Sequence, residues 1–177
     1  TQPTDGASGG AMVFDGDGDY IEVAHDALLD ITGSISLSLW IRPDADDPEG
    51  TGTETAPMAK ALGTASPSWS WQVRYGWASP KPYMAFTFNT SPRAWAYVGQ
   101  NLAQGEWHHI ACSADGQTLT AYLNGLPTES TPMGAITSSP APVLIGSDGW
   151  SSDWIGAIDE VAIYNRPLSG EEMLYLG

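Results

Sequence analysis

Ser34-Ile35-Ser36-Leu37-Ser38-Leu39-Trp40-Ile41 puts an apolar residue at every second position, with serine or tryptophan between. Side chains alternate across a strand, so this spacing specifies a β-strand with one buried face and cannot make an amphipathic helix. Two further runs repeat the pattern. Trp69, Trp71, Val73, Tyr75 and Trp77 alternate with Ser70, Gln72, Arg74 and Gly76, and Leu119, Ala121 and Leu123 alternate with Thr118, Thr120 and Tyr122. Shorter strands are expected at 11–15, 20–23, 82–88, 94–98, 107–113, 142–145 and 154–164. Asp115-Gly116 and Asn124-Gly125 are turn dipeptides suited to positive φ. Only the C-terminus reads as helix, where Ser169 and Glu172 have capping-box spacing ahead of Met173, Leu174 and Leu176. The pattern predicts an all-β chain, a two-sheet antiparallel β-sandwich or jelly roll with one short C-terminal helix.

At 177 residues and 42% hydrophobic content the chain suits one domain with a substantial core. Residues 1–10 read as a flexible lead-in and 11–177 as the domain. Twenty-one acids against six bases give a net charge of −15. Phosphate backbones and anionic lipid surfaces would repel such a chain, which argues against nucleic acid and membrane partners. The lone Cys112 sits in an apolar run and reads as a buried thiol, with no disulfide framework. No run approaches the ~18 apolar residues of a membrane span, and with no signal-like segment and no initiator Met the sequence reads as a mature fragment or a module cut from a larger protein.

Several segments resemble laminin G-like domains of the concanavalin A-like superfamily. They are Phe14-Asp15-Gly16 with Asp19-Tyr20-Ile21-Glu22-Val23, Ser36-Leu37-Ser38-Leu39-Trp40-Ile41-Arg42-Pro43, Trp107-His108-His109-Ile110-Ala111, Tyr122-Leu123-Asn124-Gly125, and the stretch from Gly156 to Leu168. The resemblance spans nearly the whole chain in order. It implies a jelly roll, often with calcium, in a secreted or cell-surface setting beside carbohydrate-active or adhesive modules.

Asp15-Gly16-Asp17-Gly18-Asp19 gathers three carboxylates in five residues. It fails as an EF-hand, because Tyr20 and Asp26 stand where Gly and Glu are required. Asp159 shares parity with Ile155, Ala157, Val161 and Ile163, which predicts a core-facing carboxylate that must be neutralised or hydrogen-bonded. The resemblance implies a structural calcium ion tying the first and last strands, with Asp15 and Asp159 as ligands and Asp17 and Asp19 as helpers. The same residues also read as a solvated turn and a carboxylate accepting backbone N–H bonds. Asp148 and Asp153, bracketing Trp150, offer a second, ligand-side acidic pair.

Eight tryptophans and seven tyrosines suit carbohydrate, because aromatic faces stack on the C–H faces of sugars while polar groups bond the hydroxyls. Trp40, Trp107 and the middle of the Trp69–Trp77 stripe read as packing residues. Trp150 and Trp154, in a Gly/Ser/Asp-rich stretch, read as surface ligand contacts. Trp77, Trp95 and Tyr97 are further candidates, with Arg74 on the polar side of the stripe.

Catalysis is poorly supported. The Glu-x-Asp-x-x-Glu arrangement of a glycosidase is missing, as is a Gly-x-Ser-x-Gly elbow, and the three histidines lack zinc-ligand spacing. The expected function is a non-catalytic extracellular module that binds a glycan or glycoconjugate. The alternative is an adhesion or spacer module whose partner is a surface protein.

Overall fold

The computed structural model describes residues 2–44, 54–62, 68–78, 81–100, 102–150 and 152–177. Thirteen strands are described: β1 (Gln2–Asp5), β2 (Gly10–Asp15), β3 (Ile21–Val23), β4 (Ile35–Pro43), β5 (Thr55–Ala61), β6 (Trp69–Ala78), β7 (Lys81–Phe88), β8 (Ala94–Gln100), β9 (His108–Ala114), β10 (Thr118–Leu123), β11 (Leu126–Pro132), β12 (Val143–Ile145) and β13 (Ile155–Tyr164). A short helix, α1 (Gly170–Leu176), follows. A seven-stranded sheet runs β1-β2-β13-β4-β9-β10-β11, and a six-stranded sheet runs β3-β12-β5-β6-β7-β8. Every pairing is antiparallel. The sequence expectation of a jelly-roll sandwich holds. The lead-in does not: Gln2–Asp5 pairs with β2 as an edge strand.

Alternation fills the space between the sheets. Leu37, Leu39 and Ile41 from β4 meet Trp71, Val73 and Tyr75 from β6 and Met84, Phe86 and Phe88 from β7 in one buried cluster. Burying such a side chain is worth about 1.5–3 kcal/mol. Cys112 lies in the same cluster, and its burial pushes the thiol well above its ordinary pKa, so it is a packing residue. Asn124 and Gly125 both take positive φ (49° and 77°), as a two-residue hairpin turn between β10 and β11 requires. At α1 the capping box forms as read, with Ser169 and Glu172 exchanging side-chain-to-backbone bonds.

One long edge of the sandwich is closed by side chains. Tyr97 on β8 donates its backbone N–H to Glu129 on β11, and its carbonyl accepts from the Thr128 hydroxyl. Capping those groups removes the template that an open edge strand offers to other chains.

Lys60 is the unusual core residue. It is 1% exposed, and its Nζ lies 2.7 Å from the Ala141 carbonyl and 3.4 Å from Asp30 Oδ1. A buried ammonium is tolerated only with such partners. Lys60→Met is expected to destabilise by roughly 2 kcal/mol, because the Ala141 carbonyl loses its donor and Asp30 Oδ1, a buried atom, loses its counter-charge. Adding Asp30→Asn should recover part of that loss in chemical denaturation, whereas an unchanged midpoint for Lys60→Met would contradict the account.

Candidate ligand-binding groove

Strand register fixes which residues share the outer face of the six-stranded sheet. Glu22, Leu144, Ala59, Gln72, Thr87 and Trp95 stand side by side from β3 to β8. The centre of that row is closed, since Ala59, Gln72 and Thr87 are buried. Its β3–β12 end is open.

The segment between β12 and β13 builds this end. Gly146 and Gly149 adopt φ of 93° and 73°, and a Cβ at Gly146 would lie 2.3 Å from the Phe14 ring. Asp148 Oδ1 accepts the N–H groups of Trp150 (3.0 Å) and Ser152 (3.2 Å), and Ser147 Oγ accepts that of Gly149. Trp154 N–H then returns to the Gly146 carbonyl at 2.8 Å. These bonds fold the loop tightly and leave the Trp150 side chain 69% exposed. Trp150 is therefore held out into solvent by a fixed backbone.

Beside it lies a groove of about 240 Å³ lined by Gly18, Tyr20, Glu22, Leu62, Leu144, Ser147, Gly149, Trp150 and Asp153. Tyr20 is 51% exposed, and Leu62 is also exposed. The Asp15–Asp19 turn forms one wall, anchored where Gly18 N–H donates to Asp153 Oδ2 at 3.1 Å. The volume falls below the ~300–1,000 Å³ of an engulfing small-molecule pocket and suits a unit or two of a chain lying on an open surface. Tyr20, Glu22 and Leu62 escape a reading of the sequence for sites. The parity of Tyr20 and Glu22, opposite Ile21 and Val23, was the available signal for the first two.

The other aromatic candidates do not join this groove. Trp154 is a correction. It is 1% exposed and packs edge-on against Tyr75 with centroids 5.8 Å apart, so a ligand cannot reach it. Asp148 is likewise buried, and its carboxylate shapes the loop. Trp95 and Tyr97 lie on β8, four strand spacings from β12, or about 19 Å. Tyr97 is exposed and stacks edge-on upon Tyr83. Arg74 pairs with Glu54, which also accepts the Tyr83 hydroxyl. That hydroxyl's pKa is raised, by burial first and then by Glu54. The Trp77 side chain lies outside the described residues, although its backbone belongs to β6.

Asp159 is a second correction. Pairing of β13 with β4 is broken between Asp159 and Ala162, where Glu160 takes φ of 48°. A bulge reverses the alternation. Ile158, Val161 and Ile163 face the core, and Asp159 turns outward. There its Oδ2 accepts Ser8 N–H at 3.0 Å and its Oδ1 accepts Glu160 N–H at 2.8 Å. Asp15 stands opposite Ile155, four residues and about 13 Å along the strand from Asp159. Asp15 Oδ1 accepts the Asp17 N–H. The two aspartates do not fit a shared calcium ion. Among the described residues no three His, Cys, Asp or Glu side chains are grouped to hold a metal.

Two antiparallel sheets with this strand order define a jelly-roll sandwich of the lectin-like class. Residues 15–173 match the laminin G-type family model described as the concanavalin A-like lectin/glucanases superfamily, and the chain belongs to that family. Among solved structures, it is similar to domain 4 of AbnA, a GH43 extracellular arabinanase from Geobacillus stearothermophilus determined in complex with arabinotriose. That match has 23% identity and a TM-score of 0.78, covering 98% of this chain and 79% of that one. It is also similar to the binding domain of Paraclostridial Mosquitocidal Protein 1 (16% identity, TM-score 0.76, 99% and 44% covered). The binding domain of botulinum neurotoxin serotype G matches at 14% identity and a TM-score of 0.72, with 99% and 44% covered. The chain thus spans under half the length of the two toxin domains. No curated protein matches it by sequence.

Proposed function

We propose that this domain is a non-catalytic, extracellular carbohydrate-binding module whose ligand lies in the groove between Trp150 and Tyr20. The observation that carries the reading is Trp150, held 69% exposed by a loop whose hydrogen bonds fix its backbone. Exposing so large an apolar surface is justified by a partner that covers it. Tyr20 adds a second aromatic surface, while Glu22, Asp153 and Ser147 supply acceptors and a hydroxyl for sugar hydroxyls. A similar domain was solved with arabinotriose, which supports a glycan over a protein ligand. The carboxylates at Asp15, Asp148, Asp153 and Asp159 each accept a backbone N–H. Such use as fixed structural acceptors supports binding over acid–base chemistry.

The test is binding to a panel of polysaccharides, with calcium and with a chelator. Trp150→Ala should weaken binding about 30-fold or more, as loss of a hot-spot residue does. Tyr20→Ala should weaken it about tenfold, and both variants should melt close to wild type. A silent panel would favour the adhesion or spacer alternative, whereas full glycan binding by Trp150→Ala would place the ligand outside this groove.

A further inference from the structure

We infer that the groove selects uncharged glycans and rejects anionic ones, so its ligands exclude uronate-bearing, sulfated and sialylated chains. This rests on the glycan reading above and adds the charge class of the ligand. The groove's lining contains Glu22 and Asp153 and no lysine, arginine or histidine. Gly18 in its wall is preceded by Asp17 and followed by Asp19 in the chain.

None of the five lysines and arginines whose side chains are described lines the groove. Lys60 is buried between Asp30 and the Ala141 carbonyl. Arg42 pairs with Asp44, Arg74 with Glu54 and Arg166 with Glu172. Arg93 stacks on Trp69, 4.7 Å from the ring centroid. Lys81 belongs to β7, three strands from β12, or about 14 Å. His25, two residues beyond β3, turns towards Asp30 at 3.8 Å. A carboxylate or sulfate stacked on Trp150 would therefore meet Glu22 and Asp153 with no lysine, arginine or histidine among the described lining residues. Neutral hydroxyls would find acceptors there.

The experiment offers arabinan, galactan, xylan, mannan and β-glucan to the intact domain in three forms: unmodified, hydroxyethylated, and carboxymethylated to equal substitution. The two ethers are of similar bulk and differ in charge. For whichever glycan binds, the carboxymethyl form should bind roughly tenfold or more weakly than the hydroxyethyl form at low salt. That gap should narrow at about 0.5 M salt, where screening is strong. Glu22→Lys, on an exposed edge strand, should also narrow it. Equal or tighter binding of the carboxymethyl form would overturn the inference, as would a gap indifferent to salt and to Glu22→Lys. Failure of every form of every glycan is a different result, which removes the glycan reading and this inference with it.

Discussion

Trp154→Ala should destabilise the domain by about 3–5 kcal/mol, the range for truncating a large aromatic in a packed core. The indole is 1% exposed and edge-on to Tyr75, so alanine leaves a void between the two sheets. A loss of this size lowers the melting temperature on the order of 10 °C for a domain of this length. Its Nε1–H is buried with no acceptor among the described residues, which sharpens the test. Trp154→Phe keeps most of the ring contact and deletes that unsatisfied donor, so it should cost only about 1–2 kcal/mol. Trp154→Phe should retain glycan binding, whereas Trp150→Ala should lose binding and keep its stability. If Trp154→Ala melted like wild type, the side chain would not be a core residue.

The contrast between these two tryptophans shows what sequence can and cannot convey. The loop's composition of Gly, Ser and Asp placed both at the surface, yet composition averages over a segment while burial is decided residue by residue. Trp154 immediately precedes β13 and inherits its inward direction, whereas Trp150 sits at the turn that Asp148 closes. Regular alternation was reliable. β4, β6 and β10 were legible because large apolar residues on the core face alternate with mostly polar ones on the other, even where both faces are buried, and the Asn124-Gly125 turn and Ser169–Glu172 cap follow from local chemistry alone. β5 was illegible because all seven of its residues are buried. With both faces covered, and with Pro57 and Lys60 inside it, the strand shows no period of two. β11 carries Pro127 and Pro132, which read as loop and are accepted because the strand lies at a sheet edge. Asp159 was misplaced because parity was extrapolated through Glu160. The bulge there is a single backbone φ that no residue pattern announces. The groove was only half visible, since Trp150 and Tyr20 are 130 residues apart and meet through sheet order.

Stability should also depend on pH through His109, and the expected effect is about 3 kcal/mol. His109 lies on the outer face of the seven-stranded sheet opposite Trp40, fully buried, with ring centroids 5.5 Å apart. Its Nε2 is 2.9 Å from Ser38 Oγ, its backbone N–H donates to Asn124 Oδ1, and its Nδ1 is buried with no partner among the described residues. Protonation would place a charge there with no carboxylate to meet it among the described residues, and burial lowers the pKa to about 4. The unfolded chain titrates near 6.5. Between those values the unfolded state binds more protons, so this contribution is complete above pH 6.5 and lost as pH falls towards 4. At 1.36 kcal/mol per pKa unit the interval gives about 3 kcal/mol. Protonation of the 21 acids relieves repulsion over the same range, so wild type alone would mix two opposing effects. His109→Gln separates them, because both proteins carry the same acids. The difference in unfolding free energy between wild type and His109→Gln should shift against wild type by about 3 kcal/mol between pH 7 and pH 4. A difference that is constant across that range would mean the imidazole accepts its proton in the folded protein as readily as in the unfolded chain.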